Sequence, residues 1–186
     1  MKKVEHGKTF DRNAANPPAF EIFHNTVTEG YPKHWHTAIE IIMPTRGEYE
    51  VVVGKDSYNL KEGDIIMINS GVVHGMRFVS QGERIVMLVE PGCVENQEEM
   101  ETIFLRLPAI YFKKEDEEDP FYLFLRSQIL ELVREYDNEG AVMTHRICTG
   151  LKELFSEFGR KGFSDANAQN TFGAMKQQEK SEAKRS

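Results

Sequence analysis

Gly30-Tyr31-Pro32-Lys33-His34-Trp35-His36-Thr37-Ala38-Ile39-Glu40, closed at Gly47 and followed downstream by Gly63-Asp64 and His74, is the stretch whose reading decides the fold. Side chains on a strand alternate between faces. If residues 34 to 44 run as one strand, His34, His36, Ala38, Glu40 and Ile42 share a surface, while Trp35, Thr37, Ile39, Ile41 and Met43 share the other. His74, from a neighbouring strand, is the candidate that completes the set. Imidazole nitrogen and carboxylate oxygen suit zinc, iron, manganese or nickel, and the mixed set does not choose among them. The same four residues also serve without a metal. A carboxylate beside imidazoles favours protonated histidine, and the group can hydrogen-bond the hydroxyls of a polyol.

Working outward, residues 20 to 91 are short apolar segments separated by turn residues. The segments are Phe20–Phe23, Ile39–Met43, Tyr49–Val53, Ile65–Ile68, Met76–Val79 and Ile85–Val89, divided by Thr45-Arg46-Gly47, Gly54-Lys55-Asp56, Lys61-Glu62-Gly63-Asp64, Asn69-Ser70-Gly71 and Gln81-Gly82-Glu83. Many short strands with glycine-bearing turns predict a β-sandwich or barrel. Several strands are apolar on both faces, so something must cover the outside of a sheet.

The cover comes from the second half of the chain. A short helix is expected from Glu95 to Leu105, then an irregular stretch and a solvated acidic run, Glu115 to Asp119. Asp119-Pro120 reads as an N-cap followed by proline in the first turn. Phe121, Leu125, Ile129, Leu132, Val133 and Tyr136 then form an apolar stripe, core or dimer interface, that Asn138-Glu139-Gly140 ends. A second helix is predicted over residues 141–158, with Ile147, Leu151, Leu154, Phe155 and Phe158 on one face. So short a connection makes the two an antiparallel hairpin. The expected organisation is a flexible lead-in over 1–18, a barrel over 19–92, a helical segment and hairpin over 93–160, and a disordered linker or tail over 161–186.

Composition narrows the function. With 40% hydrophobic and 28% charged residues in 186, the chain has enough material for one domain core. A net charge of -7 argues against a nucleic-acid surface, which needs concentrated Lys and Arg. No apolar run approaches membrane-spanning length, and the first residues lack a signal-peptide core. Cys93 and Cys148 lie in separate segments without CxxC spacing, so free thiols and a cytoplasmic setting are expected.

The residues Gly30, His34, His36, Glu40 and Gly47, with Gly63, Gly71 and His74, resemble the two motifs of the cupin superfamily. Asn69 stands where that family usually has proline, and Phe78 where it usually has asparagine. The resemblance implies a mainly β protein, a double-stranded β-helix (jelly-roll) barrel, here followed by the C-terminal helix hairpin. A narrower resemblance covers nearly the whole chain. A cupin, a short helical segment and a two-helix hairpin, with Gly47-Glu48-Tyr49 and Tyr58-x-Leu60-x-x-Gly63-Asp64, look like the N-terminal sensor domain of AraC-type transcription regulators.

That resemblance implies a sugar or related metabolite in the pocket near His34, His36, Glu40 and His74, and a homodimer formed through the helices. It implies no catalysis, and no direct nucleic-acid binding by this stretch, because no basic helix-turn-helix pattern follows in these residues. The rival reading is a small metal-dependent cupin enzyme, an oxygenase, isomerase or epimerase. Trp35, Tyr49 and Tyr58 are candidates for an aromatic surface against a sugar, with packing of Trp35 behind the sheet as the alternative. Arg46 and Arg77 are candidates for a carboxylate, with a solvated loop position as the default. Cys93 and Cys148 are read as structural or idle.

Overall fold

The computed structural model describes residues 19–26, 30–93, 107–114, 118–138 and 140–161. Among the described residues nine strands form two antiparallel sheets. They are β1 Phe20–Asn25, β2 Tyr31–His34, β3 Ile39–Arg46, β4 Tyr49–Val53, β5 Asp56–Leu60, β6 Ile65–Ile68, β7 His74–Phe78, β8 Glu83–Val89 and β9 Ala109–Phe112. One sheet has the order β1-β8-β3-β6-β9 and the other β2-β7-β4-β5. Two helices follow, α1 Pro120–Asp137 and α2 Met143–Lys161. This is the mainly β, two-sheet architecture expected from the sequence, with a helix pair behind it.

The strict alternation of β3 and β8 accounts for the layering. Ile42 and Val86, opposite one another in register, pack with Tyr49, Val51, Val53, Tyr58, Leu60, Ile66 and Ile68 in the space between the sheets. Their neighbours Ile39, Ile41, Met43, Ile85, Met87 and Val89 point the other way. They join Leu125, Ile129, Leu132, Ile147, Leu151, Leu154, Phe155 and Phe158 of the helices in a second core. A sheet apolar on both faces is stable only when both are covered, so α1 and α2 are the expected cover.

Local chemistry sets the helix ends. Asp119 sits in extended conformation and its side chain accepts the N–H of Phe121 at 2.9 Å, with Pro120 in the first turn. The second helix begins at Met143, two residues after the predicted start, and runs on to Lys161. In α1 the fully buried aromatic is Tyr122, where the stripe read from sequence had Phe121. Tyr122 donates its hydroxyl to the Gly63 carbonyl at 2.9 Å, which ties the helix to the β5–β6 turn. Gly63 there has φ +86°, a left-handed conformation that favours glycine.

Two differences concern boundaries. β9 lies in the segment assigned to the helical region from sequence, yet it pairs with β6 from Ile65↔Phe112 to Ile68↔Ala109 and so belongs to the barrel beyond residue 92. The run Ala109-Ile110-Tyr111-Phe112 is buried throughout, which removes the alternation that marks a half-exposed strand. The helix expected over Glu95–Leu105, the lead-in over 1–18 and residues 162–186 of the tail lie outside the described residues.

Cys93 and Cys148, 55 residues apart, bring their Sγ atoms to 3.6 Å as unbonded thiols. Burial first, and then the contact with Cys148, push the Cys93 thiol up to about 12. Since the thiolate is the reactive form, Cys93 at pH 8 should react with iodoacetamide roughly a thousandfold more slowly than an ordinary thiol. Labelling followed by mass spectrometry checks this. Equal rates in the folded protein and in urea would contradict it.

Candidate metal and ligand site

His34 closes β2 in the four-stranded sheet, whereas Glu40 lies in β3 of the five-stranded sheet. Residues 35–38 carry the chain from one sheet to the other, so 34–44 is not one extended strand. Alternation along one strand is therefore not what gathers the cluster. The histidines and the carboxylate meet because the two sheets face each other across the interior. The crossing is held by Gly71 N–H on the His36 carbonyl at 2.8 Å, and by Thr37 Oγ1 on Glu90 at 3.0 Å. His74, at the start of β7, pairs in register with His34.

One ligand atom from each of His34, His36, Glu40 and His74 lies within 4.8 Å of the others. His36, Glu40 and His74 are buried and His34 is half-buried. Glu40 Oε2 accepts from His36 Nε2 at 3.0 Å and from His74 Nε2 at 2.8 Å. Every ring is also fixed from behind. His34 Nδ1 bonds the Pro32 carbonyl at 2.9 Å, His36 Nδ1 the Ala38 carbonyl at 2.9 Å, and His74 Nδ1 the Val72 carbonyl at 2.8 Å.

Those three contacts decide what the cluster fits. A carbonyl only accepts, so each Nδ1 carries a proton and each Nε2 is the nitrogen left for another role. A neutral imidazole has a single N–H. His36 and His74 face an oxygen acceptor at both nitrogens, so without a metal each ring needs a second proton to make both bonds. With a metal, Nε2 presents a lone pair and that demand disappears. A backbone carbonyl behind each ligating ring is the outer-shell arrangement that orients metal-binding histidines. An ion with bonds of about 2.1 Å needs ligand atoms roughly 3 to 4 Å apart; here they lie between 2.8 Å and 4.8 Å apart, so the donors need only small side-chain shifts to share one ion. The four side chains fit a divalent ion.

The electrostatics agree. Burial alone would raise the Glu40 carboxyl. Hydrogen bonds from His36 and His74, and then their charge, outweigh it and hold Glu40 down at about 2. Burial lowers His34, and the neighbouring His74 and His36 add to that, against the opposing effects of the Pro32 carbonyl and Glu40. Both shifts keep the groups in the form that ligates a cation.

The other candidates separate from this centre. Trp35 is 53% exposed, so it does not pack behind the sheet. Tyr49 and Tyr58 are buried inside the barrel, where Tyr58 meets Tyr111 edge to face with centroids 5.6 Å apart. Arg46 pairs with Glu83 at 3.3 Å and Arg77 with Glu50 at 3.5 Å, both arginines exposed. Sequence reading passed over Arg84, which is fully buried in the interior. The signal was available: Arg84 shares strand parity with Val86 and Leu88, on the face turned into the barrel.

Residues 25–90 match the family model described as Cupin domain. Among solved structures the chain is similar to a mutant oxalate decarboxylase from Bacillus subtilis, at 18% identity over 39% of this chain and 21% of that one, with a TM-score of 0.36. It is similar to a cupin-2 domain containing protein from Shewanella frigidimarina at 16% identity, covering 41% of this chain and 76% of that chain, TM-score 0.36. It is also similar to apo ToxT from Vibrio cholerae at 12% identity, covering 78% of this chain and 58% of that chain, TM-score 0.51. The chain thus spans less than two thirds of the decarboxylase and of ToxT. No curated protein matches it significantly. No helix among the described residues is long and apolar enough to cross a membrane.

Proposed function

We propose that this chain is a ligand-sensing cupin of the AraC type, which binds a sugar or related metabolite at a divalent-metal centre and works through dimerisation and not through turnover. His34, His36, Glu40 and His74 hold the ion, and zinc, iron, manganese and nickel all suit the donors. A bound ion supplies a Lewis-acidic anchor for a ligand oxygen. The observation that carries the metal assignment is the set of three Nδ1–carbonyl bonds, which leave Nε2 as the ligating nitrogen of each ring, with those of His36 and His74 on the Glu40 carboxylate and His34 in the same cluster.

Two features support the sensor part. The helix pair shares one continuous core with the outer face of the barrel, and the likeness to ToxT, an AraC-family protein, extends over 78% of the chain, well beyond the stretch matched as a cupin domain. In this reading the dimer face is on α1. Leu123 and Leu130 stand seven residues apart on its outer side and are 49% and 39% exposed. The second reading, a metal-dependent cupin enzyme, is favoured by the same complete ligand set.

One set of measurements separates them. Metal-depleted protein titrated with zinc, manganese, nickel and ferrous ions should take up one equivalent. Metabolites that protect the loaded protein from thermal unfolding are then recovered and examined by NMR. Recovery unchanged supports the sensor; conversion to a product establishes the enzyme. By light scattering the wild-type chain should be a dimer and Leu130→Glu a monomer, whereas a strictly monomeric wild type at high concentration removes the dimer from the proposal.

A further inference from the structure

Arg84 stands on β8 opposite Asn25 of β1 and Pro44 of β3, on the strand face that turns between the sheets. It is 0% exposed, and its Nε, Nη1 and Nη2 atoms are buried with no hydrogen-bond partner. The guanidinium reaches across the interior to aromatic side chains of the other sheet. Its carbon lies 4.9 Å from the Tyr49 ring centroid and 5.8 Å from that of Tyr31.

Such contacts place the charge over the rings and supply no acceptor oxygen, so the planar fork of N–H donors stays unused. Burying a charge without a partner is among the most unfavourable arrangements a fold can hold. The interior carboxylates do not relieve it. Glu40 is engaged by His36 and His74, and Asp64 by Lys61, Tyr111 and Lys114.

We infer that Arg84 is a ligand-binding residue, and that its unused edge receives the carboxylate of a small monoanionic molecule held in the barrel. This deepens the effector-binding reading above and rests on it. A carboxylate presents two oxygens in the plane and spacing that the guanidinium fork matches. Arg84 is the one buried lysine or arginine among the described residues, so it balances one negative charge and not the two of a phosphate. Tyr31 indicates how the ligand lies. Its ring is half exposed, contacts Arg84, and sits with its centroid 6.3 Å from that of His34. A molecule whose carboxylate reaches Arg84 thus extends past Tyr31 toward the histidine cluster, where its remaining oxygens meet the metal centre. The ligand class is a small acid with one carboxylate and a second oxygen function, such as a sugar acid or a hydroxy acid.

Thermal unfolding of dialysed wild-type protein, Arg84→Met and Arg84→Lys, each with acetate, benzoate, gluconate, benzamide and inorganic phosphate, tests this. A carboxylate at a hundredfold excess over its Kd should raise the wild-type midpoint by roughly 5–10 °C. Benzamide, which has the shape of benzoate without the charge, should not. Arg84→Met should lose that shift while keeping a ligand-free midpoint equal to or above wild type, because methionine fills the space between the rings and removes the uncompensated charge. Arg84→Lys should keep part of the shift. The inference is overturned if none of the carboxylates protects the wild type, if phosphate protects better than they do, or if the methionine variant retains their protection. A ligand-free midpoint several degrees lower in Arg84→Met also overturns it, because it makes Arg84 a structural post between Tyr31 and Tyr49. Metal content measured on the same samples separates the two readings. Carboxylate protection in protein that takes up no metal on titration would sink the metal centre and leave the Arg84 site standing.

Discussion

Replacing His74 by alanine should lower the affinity of the centre for a divalent ion by more than a hundredfold. Removing an outer-shell partner of a metal ligand already costs about 10–100-fold, and this change removes a ligand together with its bond to the Val72 carbonyl. Glu40→Gln should weaken binding less, because the amide oxygen still ligates while the negative charge facing His36 and His74 is lost. Competition against a chromophoric chelator at pH 7.5 measures both, with circular dichroism to show that the variants fold. Wild-type affinity in His74→Ala would end the metal assignment.

The pH dependence of this centre has two parts with a common direction. Each imidazole must present an unprotonated Nε2 to ligate, so affinity falls as pH falls. His34, lowered by burial, is held in the unprotonated form to more acidic conditions than a free histidine. Glu40 acts on the metal-free protein as well. Its folded value of about 2 lies below the ordinary 4.5, so the stability it contributes is fully present above about pH 4.5 and is lost as pH falls toward about 2.

How much of this was readable beforehand depends on whether a residue's role is local. β4 and β6 match their predicted ends, and the fully buried positions of α2 are the five predicted, because apolar periodicity and turn residues carry that information along the chain. β2, Tyr31-Pro32-Lys33-His34, has three exposed residues and no alternation, and it is a strand through its pairing with β7. β5 offers only Tyr58 and Leu60 as inward apolar positions, too few for a pattern. β9 is too buried to alternate. At the site, residue types and spacing identified all four clustered side chains, while the crossing at residues 35–38 was invisible because it arises from the two sheets facing each other. Arg84 was legible as inward-facing, but what it lacks, a partner, exists only in three dimensions.

Asp64→Ala should destabilise the protein by about 3–5 kcal/mol, among the largest effects of any single change outside the second core. Asp64 is 5% exposed. It accepts the Lys61 N–H at 2.9 Å, the Tyr111 hydroxyl at 2.6 Å and the Lys114 N–H at 2.8 Å, so one carboxylate joins the β5–β6 turn to the strand β9 and the residues after it. Alanine strands the Lys61 and Lys114 N–H donors and leaves the Tyr111 hydroxyl only the Asn59 carbonyl at 3.2 Å, and each stranded donor costs about 1–3 kcal/mol, less than additively when they share one site. An asparagine in its place would keep one oxygen and turn an NH2 group toward the other donors. The Tyr111 hydroxyl can rotate to accept from it, but the Lys61 N–H cannot. Asp64→Asn should therefore fall between Asp64→Ala and wild type, and Tyr111→Phe, which removes one hydroxyl shared by Asp64 and the Asn59 carbonyl and leaves both backbone donors on Asp64, should be the mildest of the three. Urea unfolding at pH 7 measures this order, and an Asp64→Asn variant as stable as wild type would show that the charge and the acceptor pair are not what hold the turn. The same turn presents the Gly63 carbonyl to Tyr122 of α1. Loosening it should therefore act at a distance: in Asp64→Ala, hydrogen exchange should rise in α1 as well as in β9, since the Tyr122–Gly63 bond ties the helix to this turn.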